Sequence, residues 1–128
     1  MKTIFVVDDC STNLLTAKEA LSDHYEVFTM LSASTMFGLF ENVLPDLILL
    51  DIMMPDINGF DVFKQLKADT RYSEIPAIFL SCKSDTATAD LAFEVGGADF
   101  IEKPFSTPVL LDRIKTVLER VYTDIDTI

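Results

Sequence analysis

Five short apolar runs, each followed by an amphipathic stretch, restrict this chain to very few folds. The runs are Ile4 to Val7, Tyr25 to Thr29, Leu47 to Leu50, Ala77 to Leu80 and Ala98 to Ile101. Each has strand length and is rich in Ile, Val, Leu or Phe. Leu47-Ile48-Leu49-Leu50 has no polar alternation, which predicts a strand buried on both faces, as in a parallel sheet. Parallel strands need crossovers, and the stretches between the runs read as helices. Right-handed crossovers then place helices on both faces of one sheet.

The helical readings rest on spacing. Leu110, Ile114, Val117, Leu118 and Val121 share one face of a last helix. Met36, Phe37, Phe40, Val43 and Leu44 do so in the second, and Phe60, Phe63 and Leu66 in the third. Start signals are Ser11, Ser84 and Ser106-Thr107-Pro108, and stop signals are Pro45 and Gly96-Gly97. With 128 residues there is room for one core. The reading is one domain over 1–121 and a tail or linker stump over 122–128.

Composition removes several function classes. Lys+Arg is 10 against Asp+Glu 21, a formal net charge of −11. Such a surface repels phosphate backbones and anionic lipid, so neither nucleic acid nor membrane is an expected direct partner. No apolar run approaches the roughly 18–20 residues of a spanning helix. Cys10 and Cys82 lack CxxC spacing, and His24 is the single imidazole. Zinc and haem sites and nucleophile–histidine pairs ask for more. Two free thiols fit a reducing cytoplasm.

The polar residues of interest each follow a predicted strand: Asp8 and Asp9 the first, Asp51 the third, Ser81 the fourth, Lys103 the fifth. In an open α/β sheet that edge is where ligands bind. Each residue alone has a plain reading. The acidic pair could cap a helix, Asp51 could be a solvated loop residue, Ser81 a turn residue and Lys103 a surface lysine. Together they put three carboxylates into one crevice. At about 5 Å and an effective dielectric near 20, each like-charge pair costs roughly 3 kcal/mol. A hydrated Mg²⁺ held by Asp9 and Asp51 would offset that, with Lys103 as a fixed positive charge and Ser81 as a neutral donor. A carboxylate nucleophile, a hard cation, a lysine and a hydroxyl describe phosphoryl transfer onto an aspartate.

Val6-Val7-Asp8-Asp9, Asp51-Ile52-Met53-Met54-Pro55 with Gly59, Phe79-Leu80-Ser81 and Phe100-Ile101-Glu102-Lys103-Pro104-Phe105 carry a specific resemblance. From about Lys2 to Val121 the chain resembles the receiver domain of two-component response regulators. The resemblance implies a flavodoxin-like (βα)5 doubly wound sandwich of strand order 2-1-3-4-5. It implies a cytoplasmic, phosphorylation-dependent switch that is no enzyme beyond its own aspartyl phosphorylation and dephosphorylation. Asp51 would be the phosphoacceptor. Asp9 would bind Mg²⁺ (or Mn²⁺) directly, Asp8 directly or through water, with Asp51 and the Met53 backbone carbonyl completing the ligands. Ser81 and Lys103 would bind the phosphoryl group, and the Lys103–Pro104 peptide would be cis. Ser81 and Phe100 would form the switch, and Met53 and Lys83 would tune dephosphorylation. The donor would be a sensor histidine kinase or a histidine phosphotransfer protein. The downstream partner would be an effector protein or output domain, engaged by a monomer or a phosphorylation-dependent homodimer.

Departures from the family's commonest pattern are Ser81 in place of Thr, and Cys82 in place of Ala, read as a small buried hydrophobe near the phosphoryl pocket. Phe100 lacks the hydroxyl that would tie it outside. The charges of the fifth helix, Asp112, Arg113, Lys115, Glu119 and Arg120, read as a solvated face or a dimer contact. Three rivals have discriminating features. An aspartate-nucleophile phosphatase needs a second carboxylate two residues after Asp51, where Met53 stands. A nucleotide or flavin protein needs a Gly-rich loop where Asp8-Asp9 stands. A binding module of the same fold would take no phosphoryl group.

Overall fold

The computed structural model describes residues 1–55, 57–82 and 86–126, with the side chains of 86, 87 and 121–126 left aside. Ten elements alternate: β1 (Thr3–Val7), α1 (Ser11–Leu21), β2 (Glu26–Met30), α2 (Ala33–Leu39), β3 (Leu47–Asp51), α3 (Gly59–Ala68), β4 (Ala77–Ser81), α4 (Thr86–Glu94), β5 (Asp99–Glu102) and α5 (Thr107–Asp126). The five strands form one parallel sheet in the order β2-β1-β3-β4-β5.

Successive side chains of a strand point to opposite faces, and the core divides accordingly. Phe5, Val7, Ile48, Leu50 and Phe79 meet α2, α3 and α4 through Met36, Val62, Phe63, Leu66 and Ala92. Ile4, Val6, Leu47, Leu49, Ile78 and Leu80 meet α1 and α5 through Leu14, Ala17, Leu21, Leu110, Ile114 and Val117. Every residue of β3 and β4 is buried, which is why those segments read as unbroken apolar runs. Each fully buried side chain of that size contributes about 1.5–3 kcal/mol, so the central strands anchor both layers. The edge strands β2 and β5 are only partly buried and carry polar residues.

Four sequence expectations shift. Ser11 opens α1 but does not cap it; the cap position is Cys10, whose side chain makes no capping bond. Asp8 Oδ1 accepts from the Cys10 N–H at 2.9 Å instead. The second helix stops at Leu39, well before Pro45. The N–H groups of Asn42 and Val43 both turn back to the Leu39 carbonyl at 2.9 Å, and Leu44 lies exposed. Cys82 is exposed, because it leaves the sheet directly after the buried end of β4. The fifth helix runs to Asp126, through most of the segment set apart as a tail.

Other signals act where they stand. Asn58 caps α3 by accepting from the Phe60 N–H at 2.8 Å, and Ser106 Oγ accepts from the Val109 N–H at 3.4 Å. Gly96, at φ +101°, supplies the left-handed turn after α4. Ser84, Lys83 and the Val121 side chain lie outside the described residues. On α5, Arg113 pairs with the largely buried Asp99 of β5 at 3.0 Å, and Arg120 donates to the Ala98 carbonyl at 3.2 Å. Those two charges are engaged within the chain, while Asp112, Lys115 and Glu119 stay exposed.

Candidate functional site

Register alone gathers the acidic residues. Val7 of β1 lies opposite Leu50 of β3, so the next residues, Asp8 and Asp51, emerge side by side. Leu80 of β4 lies opposite Asp51, which puts Ser81 one step further along the neighbouring strand. Carboxylate oxygens of Asp8, Asp9 and Asp51 lie within 4.8 Å of one another. Asp8 and Asp51 are buried, with 0% and 2% exposure, while Asp9 is exposed at the rim.

Lys103 arrives from the loop after β5. Its N–H donates to the Ser81 carbonyl at 2.7 Å, which ties that loop to the end of β4. Its peptide bond to Pro104 is cis. Lys103 Nζ donates to Asp8 Oδ2 and to Asp51 Oδ1, each at 3.0 Å. Its side chain is 7% exposed, so the ammonium sits inside the pocket. Burial works against that charge, but the hydrogen bonds and charges of Asp8 and Asp51 outweigh it and raise its pKa.

Asp51 is pushed up to about 6. Burial is the largest cause, and the hydrogen bond from Lys103 opposes it. The neighbouring Asp8 charge and the hydrogen-bonded side chain of Asp9 push it up further. One ammonium thus does not fully balance three carboxylates, and the pocket has a residual demand for positive charge. The oxygens lie close enough together for small side-chain adjustments to bring them onto one hard cation. The donor set, all oxygen, suits Mg²⁺.

The remaining sequence candidates fall around this centre. Ser81 is buried at the last position of β4. Met53 is 60% exposed, two residues beyond Asp51, whereas Met54 is buried in the core. Phe100 is half-buried on β5, opposite Phe79 and packed against the α2–α4 side of the core. Lys83 lies outside the described residues. The sequence reading missed Asn13, whose Nδ2 donates to Asp8 Oδ2 at 3.3 Å. Its one sequence signal is its place in the first turn of α1, just past the acidic pair. Among the described residues no buried side-chain nitrogen or oxygen lacks a partner.

Fold and pocket together define a flavodoxin-like, CheY-like α/β sandwich. The chain belongs to the response regulator receiver domain family of two-component systems: the family model matches residues 4–115. It is 35% identical over 117 residues to a probable cyclic di-GMP phosphodiesterase of Vibrio cholerae, covering 91% of this chain and 26% of that protein. It is 32% identical over 123 residues to the sensory transduction protein BceR of Halalkalibacterium halodurans, covering 95% of this chain and 52% of that one. Among solved structures, the BeF3-activated receiver domain of DrrB from Thermotoga maritima matches with TM-score 0.82 and 32% identity, over 93% of this chain and 98% of that one. The chain spans between 18% and 52% of the length of the curated relatives it matches. No helix among the described residues is long and apolar enough to cross a membrane.

Proposed function

We propose that this chain is a phosphorylation-dependent switch that accepts a phosphoryl group on Asp51 from a phosphohistidine. The donor is a sensor histidine kinase or a histidine phosphotransfer protein. The observation that carries this reading is the buried Lys103 ammonium shared by Asp8 and Asp51, with Asp9 at the mouth. Asp9 and Asp51, with Asp8 directly or through water and the Met53 carbonyl, would hold Mg²⁺ or Mn²⁺. When bound, that ion supplies positive charge against the carboxylates and the phosphoryl oxygens.

With its pKa at about 6, Asp51 is mainly ionised at neutral pH and can act as a nucleophile. One of its oxygens attacks the phosphorus in line. The phosphorus–nitrogen bond breaks, and the imidazole leaves with the electron pair and takes up a proton. Lys103 exchanges its carboxylate partners for a phosphoryl oxygen, and the Ser81 hydroxyl donates to another. Phe100 then moves into the space that Ser81 and its loop vacate. The face made by α4, β5 and α5 changes shape and engages a downstream effector or output domain. Met53 stands where an aspartate-nucleophile phosphatase needs a second carboxylate, so the chain has no acid/base group there to protonate a leaving group.

Incubation with acetyl phosphate and Mg²⁺ is expected to add the mass of one phosphoryl group to the intact chain. Asp51→Asn should show none. Mass gained by neither protein overturns the reading and leaves a binding module of the same fold; mass gained equally by Asp51→Asn overturns Asp51 as the acceptor. A second measurement addresses lifetime. The exposed Met53 side chain is expected to obstruct a hydrolytic water, with Lys83 tuning the same step through its charge. Phosphorylated Met53→Asn is expected to decay several-fold faster than the parent chain, and Lys83→Ala to alter the decay further. Identical decay in all three would remove both residues from that role.

A further inference from the structure

We infer that Asn13 is a positioning residue for the metal pocket: it holds Asp8 in place and thereby sets the affinity for Mg²⁺. The inference rests on the metal reading above and goes beyond it, to a residue that is not itself a ligand. Asp8 is fully buried, and its two oxygens have different partners. Oδ1 accepts from the backbone N–H of Cys10 at 2.9 Å. Oδ2 accepts from Lys103 Nζ at 3.0 Å and from Asn13 Nδ2 at 3.3 Å.

These donors are not equivalent. The Cys10 N–H belongs to the backbone and stays. Lys103 is the donor that phosphoryl binding draws away. Once it leaves, Asn13 is the side chain that still fixes Oδ2. A carboxylate held from both oxygens keeps its plane and rotamer, so it meets a cation without first being ordered. The residue type matters. An amide offers donors with no charge, so it can face a carboxylate without competing with the cation for it. A lysine here would place a second ammonium in the pocket, and a carboxylate could not donate. The backbone explains the reach. Asn13 stands in the first turn of α1, which starts three residues after Asp8, so its side chain turns back over the end of β1.

The test is a Mg²⁺ titration of the full chain, followed by amide NMR shifts at Cys10 and Ile52. Outer partners of metal ligands typically change affinity by about 10–100-fold. For one neutral donor the low end applies, and Asn13→Leu is expected to raise the Mg²⁺ dissociation constant about five- to tenfold. Asn13→Ser, too short to reach Asp8, should do the same and is the smaller perturbation of the helix. Thr12→Leu, an exposed change in the same turn, should leave the constant unaltered. Parent-like constants in both Asn13 variants overturn the inference while leaving the metal reading standing. Equal weakening by Thr12→Leu overturns it too, because the effect would then belong to the helix turn. A parent chain with no Mg²⁺ response overturns the metal reading and this inference with it.

Discussion

Lys103→Met is expected to destabilise the metal-free chain by about 3–5 kcal/mol at pH 8, the range for removing one partner of a buried ion pair. The methionine fills much of the same space, so the loss is electrostatic. Asp8 and Asp51, 0% and 2% exposed, would face each other without the ammonium they share. The pH dependence follows from Asp51, raised from 3.8 to about 6 by burial, with Lys103 opposing the rise. A carboxyl whose folded pKa lies above its unfolded value favours the fold while protonated. That advantage is fully present below the unfolded pKa, about pH 4, and is lost as pH climbs through the folded value near 6.

Without Lys103 the folded pKa moves higher still, so the penalty is greatest at pH 8 and shrinks towards pH 5. Urea unfolding of both proteins at the two pH values, without Mg²⁺, measures it. An equal penalty at both would show that packing, not charge, governs the pocket. The counterpart has the opposite sign. Asp51→Asn removes the ionised group and is expected to stabilise the metal-free chain above pH 6. The gain is bounded at about 3 kcal/mol by the size of the pKa rise. Such a trade of stability for a reactive centre is common at functional sites.

The second large effect is steric. Gly59 is the first residue of α3, and its N–H donates to the Ile52 carbonyl at 2.8 Å. A Cβ there would lie 2.3 Å from the Asp51 carbonyl oxygen and 2.9 Å from Ile52 Cα. Both are backbone atoms, at the last residue of β3 and the one after it, so neither can rotate aside. Gly59→Ala is expected to cost about 3 kcal/mol by overpacking. It should also weaken Mg²⁺ binding, because Asp51 and the Met53 carbonyl belong to the displaced segment. Gly38→Ala is the contrasting change. Gly38 lies within α2 with nothing inside 4 Å of a Cβ, and alanine there should stabilise by up to about 1 kcal/mol. Urea midpoints of the two variants check both signs. A Gly59→Ala protein within about 0.5 kcal/mol of the parent would mean that α3 shifts freely.

How much of this was legible follows from where each signal lives. The central strands announced themselves because burial on both faces leaves only apolar residues, as in Leu47 to Leu50. Strand ends were legible for the same reason: Asp8 and Asp51 are the first charges after such a run. The end of α2 was not. Val43 and Leu44 continue a helical spacing that a turn onto Leu39 satisfies equally well. The difference between buried Asp8 and exposed Asp9 was invisible in an acidic pair, since it depends on which residue still follows the pleat of β1. Cys82 was misjudged by the same margin of one residue at the end of β4. Asn13 escaped because its partner is a side chain, and no periodicity encodes a rotamer.

The placement of the reacting groups in the sheet has a mechanical consequence. Asp51 sits on β3, which has hydrogen-bonded neighbours on both sides, β1 and β4. Lys103 follows β5, an outer strand with a neighbour on one side only. Compliance in a sheet increases from the middle outwards, since a marginal strand can shift while disturbing half as many ladder contacts. Asp51 is therefore held from both sides, while Lys103 hangs from the more compliant margin, tied there by its own hydrogen bonds to Ser81, Asp8 and Asp51. A deformation provoked at the centre would escape most easily through that margin, where the Asp99–Arg113 pair links β5 to α5.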